Sequence, residues 1–330
     1  MIDPWLGARG LAGGLVLVSA MSLAAADEAR LVDVRKIWDE APHNAFTDLL
    51  RHEDQWYCVF REGAGHVSPN GAIRVIRSAD GPQWQSASRL TSDLGDLRDP
   101  KISLAADGRL MLLAAAARRA PDEPRHQSLV WFSDDGSTWS EPVLVGDVNV
   151  WLWRVSWHNG VAYGVGYDTS AEKFTRLYRS SDGVQFEGLV DRLFDRGYSN
   201  ESSILFLPDG TALCLLRRDG KENSAQLGTA QAPYSQWEWK DLGRAIGGPH
   251  MLQLPDGRIV AAGRLYDGKV RTALSWLNAA EGKLEEFLAL PSGGDTSYPG
   301  LVFHDGLLWV SYYDSREGKT SIYLARVKLP

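Results

Sequence analysis

Arg217 and Arg264 each stand seven residues past the glycine of an Asp-Gly turn, Gly210 and Gly257. Arg61 takes the matching place in an earlier segment, aligned there by the apolar run Trp56–Phe60 and not by a glycine. Asp99 and Glu201 each stand nine residues before a turn glycine, and Tyr298 stands eight before Gly306. Three arginines at one structural level repel one another unless an anion sits between them. The guanidinium fork is also the side chain best shaped to hold a carboxylate through two parallel bonds. Beside them an aspartate, a glutamate and a phenol supply groups able to move protons. The alternative is that Glu201 and Asp99 only pair with the arginines to satisfy a polar channel.

These residues are far apart in sequence, so their convergence depends on a repeat. Asp107-Gly108, Asn159-Gly160, Asp209-Gly210, Asp256-Gly257 and Asp305-Gly306 recur at spacings of 52, 50, 47 and 49 residues, each followed by an apolar, β-rich run. His52-Glu53-Asp54 before Trp56 is a sixth copy without the glycine. A second motif, S-x-D-G-x-x-[WF], is interleaved at Ser78–Trp84, Ser133–Trp139 and Ser180–Phe186, with degraded later copies. Its Asp can accept bonds from turn amides, its Gly allows positive φ, and its aromatic packs back under the hairpin. Each period predicts four short strands, in the fourth copy Ser202–Leu207, Thr211–Arg217, Gln226–Ala230 and a strand from Trp237 to Lys240. Four-stranded antiparallel units at this spacing predict a six-bladed β-propeller. The last blade (Leu301–Phe303, Leu307–Tyr313, Thr320–Val327) lacks a fourth strand, which Leu31–Ile37 would supply to close the ring. Antiparallel order then puts the starts of first strands, the ends of second strands and the second-to-third loops on one face. Arg61, Arg217, Arg264, Asp99, Glu201 and Tyr298 therefore share that face.

The chain has 330 residues, 33 glycines, 13 tryptophans and a net charge of -7, which argues against nucleic acid as a partner. An apolar run over Leu11–Ala26 ending in Ala24-Ala25-Ala26 reads as an export signal over residues 1–26. The remaining 27–330 would be a secreted or periplasmic propeller. Cys58 and Cys214 lie in apolar runs and read as buried thiols, with no disulfide framework. No cofactor is indicated: none of the seven histidines shows zinc-ligand spacing. The acidic stretch Asp93–Asp99 matches no calcium loop. Gly318-Lys319-Thr320 lacks the earlier glycine of a phosphate loop, since Tyr313 stands in its place. His250 should start a first strand on the functional face and touch substrate there. Trp151, Trp153 and Trp157 either stack on sugar rings or fill gaps between blades.

The S-x-D-G-x-x-W motifs resemble the Asp boxes of the sialidase (neuraminidase) superfamily, over about residues 30–330. Phe60-Arg61 resembles the element bearing that family's first arginine, although the Ile-Pro that should follow is absent. Asn200-Glu201 with Arg217 resembles its glutamate and second arginine, Arg264 the third, and Asp295–Tyr298 the segment bearing the nucleophilic tyrosine. Asp99 resembles an aspartate that contacts the substrate's substituents. The resemblance implies an exo-acting glycoside hydrolase that releases a terminal carboxylated sugar, sialic acid or a related one, from an acidic glycan. Tyr298 would be the nucleophile, Glu201 its base, and the arginines the carboxylate clamp. A neutral phenol avoids the repulsion that a carboxylate nucleophile would meet, a known exception to two-carboxylate hydrolysis. The family's acid is an aspartate in the second-to-third loop of the first blade; here that loop, Gly63–Gly71, has no carboxylate and offers His66. His66 or Asp99 would supply the proton. The alternative function is a non-catalytic carbohydrate-binding or scaffold propeller.

Overall fold

The computed structural model describes residues 28–118 and 125–330; the export segment read over 1–26 lies outside them. Among the described residues there is no helix, and the strands form six four-stranded antiparallel sheets. The first strands are His43–His52, Asp96–Leu104, Val150–His158, Tyr198–Phe206, Ile246–Gln253 and Thr296–His304. Each packs against the first strand of the next blade, so these six line the axis. The sixth blade is completed by Arg30–Trp38 from the opposite end of the chain, antiparallel to Ser321–Lys328 with Val34 opposite Ala325. The fold is the six-bladed propeller that the repeat predicts.

Apolar faces of neighbouring sheets meet in clusters between the blades. Val59 and Val75 of the first blade pack with Leu97 and Leu112 of the second, and Leu213 and Leu215 of the fourth pack with Met251 and Ala261 of the fifth. Near the axis the first strands of neighbouring blades meet without sharing a ladder, so side chains bridge to the facing backbone instead. Thr47 Oγ1 donates to Tyr298 O (2.6 Å), Ser297 Oγ to Gly247 O (2.9 Å) and Ser156 Oγ to Ile204 O (2.7 Å). Ser203 Oγ accepts from Met251 N, Ser128 Oγ from Leu152 N, and Asp48 Oδ2 from Ile102 N. Together these six bonds cross all six junctions. Asp48 also takes a forked ion pair from Arg154 of the third blade, which ties the ring across its centre.

All six first strands carry one extra residue relative to their partners. The register steps between Ala45 and Asp48, Arg98 and Lys101, Leu152 and Arg154, Ser199 and Ser202, Gly247 and His250, and Ser297 and Gly300. This explains why the first strands start earlier than the sequence pattern predicts, at Tyr198 and Thr296 instead of Ser202 and Leu301. A bulge breaks the period-two alternation on which that pattern rests.

The S-x-D-G turns work as their chemistry predicts, and they also lock blades together. Asp135 Oδ1 accepts from Ser137 N and Thr138 N, Ser133 Oγ accepts from Gly136 N, and Trp139 Nε1 donates to Gly136 O. Gly136 (φ +68°) lies against the Tyr57 ring of the preceding blade, and Gly81 (φ +81°) lies against Trp309. A Cβ on Gly136 would sit 2.2 Å from Tyr57 Cε1, whereas one on Gly160 (φ +76°) would meet nothing within 4 Å. Gly160→Ala should therefore cost only the left-handed penalty of ~1–2 kcal/mol. Gly136→Ala should cost clearly more in chemical denaturation, because the neighbouring blade must move as well.

Candidate functional site

The bulges turn their residues toward the axial mouth. Phe46, Asp99 and Tyr298 take the same place in blades one, two and six, with φ of 65°, 54° and 55°. Positive φ on a bulky residue is costly and persists only where the surroundings enforce it. In two of these blades the next residue is proline, Pro100 and Pro299, which has no N–H to leave unpaired in the bulge. Gly248-Pro249 repeats the device in the fifth blade. Asn200-Glu201 occupies the bulge of the fourth, opposite Arg217.

Glu201 is the hub. Its Oε1 accepts from Tyr298 OH at 2.5 Å, and its Oε2 accepts from Arg217 Nη1 and Gly248 N, both at 2.7 Å. Burial alone would raise its pKa, but Arg217, Tyr298 and the Gly248 amide outweigh this and lower it. The residue is thus ionised at neutral pH and points its free electron density at a phenol. Burial and the charges of Glu201 and Asp99 push the Tyr298 phenol well above its ordinary value, so the proton stays on tyrosine at rest. Arg217 is steadied by two bonds to Asp219 Oδ1, and Asn200 Nδ2 holds Asp219 Oδ2. Lys101 Nζ lies 5.4 Å from the Tyr298 ring centroid and 4.7 Å from that of Trp153. Burial lowers its pKa to about 8.

Asp99 is the second carboxyl at this level. Burial pushes it up to about 6, against the pull of Arg98 and Lys101 and with a further push from Glu201. Its Oδ1 is buried with no hydrogen-bond partner. Such an environment favours the neutral form of the carboxyl, which keeps its proton at mildly acidic pH.

Arg264 joins the mouth from the fifth blade. It donates through Nε to Thr296 O and through Nη2 to Tyr313 OH and Asp295 Oδ1, leaving Nη1 uncommitted. His66, half exposed on its loop, meets Asp295 Oδ2 through Nδ1 at 2.9 Å and lies edge-on to Phe46. His66 and Asp295 thus come from opposite ends of the chain to one edge of the mouth.

Two expected positions are corrected. Arg61 does not join the arginines. It is fully buried, with Nε on Asp96 Oδ1 (2.7 Å), Nη1 on Gly65 O and Nη2 on Ser68 Oγ. The loop 63–71 wraps over it, and Gly71 leaves room for that approach: a Cβ there would overlap Asp96 Oδ1. His250 comes after its bulge and not in it, so it faces down the channel. Its Nδ1 meets Pro299 O, and it lines a cavity of about 410 Å³ with Arg154, Leu104 and Phe206 at the opposite face. Burial drives its pKa well below the ordinary histidine value. The tryptophans also fill space: Trp153 is 1% exposed and packs edge-on to Tyr298.

Sequence reasoning missed Arg98, whose guanidinium covers the Phe46 ring at 5.1 Å and whose Nε has no partner. Its Nη1 also approaches Asp96 Oδ2 at 3.9 Å, the carboxylate that binds Arg61 through its other oxygen. It also missed Asp219, Tyr313, Asp295 and His43 as site members. Two signals were available: Tyr313 stands seven past Gly306, as Arg217 and Arg264 do past their glycines, and an x-Pro pair marks the bulge within three first strands, Asp99-Pro100, Gly248-Pro249 and Tyr298-Pro299. If Arg61 is structural, Asp96→Ala should strand its buried charge and cost ~3–5 kcal/mol, read in chemical denaturation.

No family model matches this chain, and no curated protein matches it. Solved structures do match. A Dyadobacter fermentans protein of unknown function superposes with a TM-score of 0.81 at 21% identity, covering 92% of this chain and 99% of that one. A Penicillium chrysogenum α-L-arabinanase in complex with arabinobiose gives 0.68 at 14% identity, over 89% and 98%. A Trypanosoma rangeli sialidase in complex with the inhibitor DANA gives 0.65 at 13%, over 87% of this chain and 55% of that one. These likenesses establish the six-bladed propeller as the shared architecture.

Proposed function

We propose that this chain is an exported, exo-acting glycosidase that releases a terminal sugar bearing a carboxylate. The observation that carries this reading is the buried 2.5 Å bond from Tyr298 OH to Glu201, built on a strained bulge and braced by Arg217 and Gly248 N. A scaffold has no need for that expense. The likeness to propeller glycosidases, an arabinanase and a sialidase, supports the general class. The acidic substrate is supported by the positive charge of Arg217, Arg264 and Arg98 near one mouth, with Nη1 of Arg264 uncommitted.

In the first step Tyr298 Oη bonds to the anomeric carbon while Glu201 Oε1 takes its proton. The bond to the leaving oxygen breaks, and that oxygen takes the proton of Asp99. In the second step Asp99, now ionised, takes a proton from water as the water oxygen attacks the anomeric carbon. The bond to Tyr298 breaks, and Glu201 returns its proton to the phenol. Asp99 suits this role better than His66, because it is enclosed, its pKa is raised to about 6 and it sits at the bulge, as the nucleophile does.

Tyr298→Phe should reduce turnover by ~10³-fold or more on aryl glycosides of keto-deoxy acids and uronic acids, with unchanged folding. Equal turnover by the variant would overturn the mechanism. Saturable binding of such sugars without product from wild type would instead mark a binding propeller.

Asp99 also makes stability depend on pH. Its pKa rises on folding, from 3.8 to about 6, so the folded state holds the proton more tightly. Stability attributable to this group is full below about pH 4 and is lost as pH rises through 6. Asp99→Asn should therefore stabilise the protein by ~1–3 kcal/mol at pH 7–8, with little gain at pH 4. The same variant should lose activity most on substrates with poor leaving groups. A variant no more stable than wild type at pH 8 would remove Asp99 as the proton store.

A further inference from the structure

His43, at the start of the first strand of the first blade, is 8% exposed, yet neither ring nitrogen has a hydrogen-bond partner. A buried imidazole left unpaired needs an explanation, since each such group costs about 1–3 kcal/mol. Its Nε2 points at Asp295 Oδ2, 3.9 Å away, the same oxygen that His66 Nδ1 meets at 2.9 Å. One ligand atom from each of the three residues falls within 4.8 Å of the others.

The two oxygens of Asp295 are sorted by partner. Oδ1 accepts from Tyr313 OH at 2.9 Å and from Arg264 Nη2 at 3.3 Å, while Oδ2 faces only the two histidines. A carboxylate oriented through one oxygen and presented through the other is the usual arrangement of a metal ligand with its supporting bonds. We propose that His43, His66 and Asp295 form a divalent-metal site, best suited to zinc, at the edge of the axial mouth.

Two imidazoles and a carboxylate are the donor set of an open zinc site, which keeps a fourth position for water or substrate. Bonds of about 2.0–2.2 Å to one ion require the three donor atoms to stand about 3.3–3.5 Å apart. The 2.9 and 3.9 Å separations from Asp295 Oδ2 bracket that value. His43 is held at the start of its strand, and Asp295 by its N–H to Ser315 Oγ and by Tyr313 and Arg264 on Oδ1; His66 sits half exposed on the loop 63–71, so a small movement of that loop completes the set. The open position would face the mouth, where Phe46 separates the cluster from Tyr298: its ring centroid is 5.2 Å from that of His66 and 5.0 Å from that of Tyr298. A metal there would bind a sugar hydroxyl or carboxylate away from the anomeric carbon, and its presence does not depend on the Tyr298–Glu201 chemistry.

The test is equilibrium dialysis of the untagged full chain, stripped with a chelator, against Zn²⁺ alone, with Co²⁺ as a spectroscopic probe. We expect one Zn²⁺ per chain, visible Co²⁺ bands of a low-coordinate site, and about tenfold or greater weakening in His66→Ala and Asp295→Asn. His66→Ala changes an exposed loop residue and should keep the wild-type melting curve. His304→Ala, a surface histidine outside the cluster, should bind as wild type does. Failure to retain zinc, or retention undiminished in both His66→Ala and Asp295→Asn, would overturn the site. Neither result requires turnover, so the outcome stands apart from that of the glycosidase assay.

Discussion

The extra residue in each inner strand is the constraint on which the site rests. In each of the six strands the bulge interrupts the ladder by one residue, and pairing resumes on its far side at the strand's start. Its consequence is positional: the side chain at the bulge leaves the sheet and enters the mouth. Phe46, Asp99, Glu201 and Tyr298 all reach the mouth this way, from four blades. Residues just beyond the bulge, Asp48, Lys101, Arg154 and His250, face the channel and hold the ring together or fill it. A shift of one or two residues along the strand thus separates chemistry from structure.

The electrostatics follow from that placement. Glu201 and Asp99 are both fully enclosed carboxyls at one level, but their surroundings push them apart. Glu201 has a guanidinium, an amide and a phenol as donors and stays ionised. Asp99 has an orphaned oxygen and a second carboxylate nearby, and it holds its proton to about pH 6. Divergent pKa values from one enclosure are how a site keeps a base and an acid at the same pH. Lys101 and Arg98 keep the pair from expelling each other's charge, and neither was needed by the repeat.

The S-x-D-G turns lie on the face away from this chemistry and carry a different load. Their aspartates and serines satisfy the turn, while Gly81 and Gly136 admit an aromatic ring from the blade before. The turn therefore serves the junction as much as the hairpin. The fourth and fifth blades, which lack it, meet through an aliphatic cluster that includes Leu213, Met251 and Leu277.

The sequence by itself determined the repeat, the blade count, the closing strand and which ends of strands share a face, because these follow from turn chemistry and alternation. It also placed Glu201, Tyr298, Asp99, Arg217 and Arg264 together, since counting from a turn glycine measures distance along a strand. It could not tell Arg61 from Arg264. Both stand one step past a bulge, and only the fold of the loop 63–71 and the approach of Asp96 bury the first. Nor could it find His43 beside Asp295, which are 252 residues apart in number and meet because the ring closes the sixth blade onto the first. Local spacing records what one strand or turn imposes; contacts made across the axis are decided only when the ring shuts.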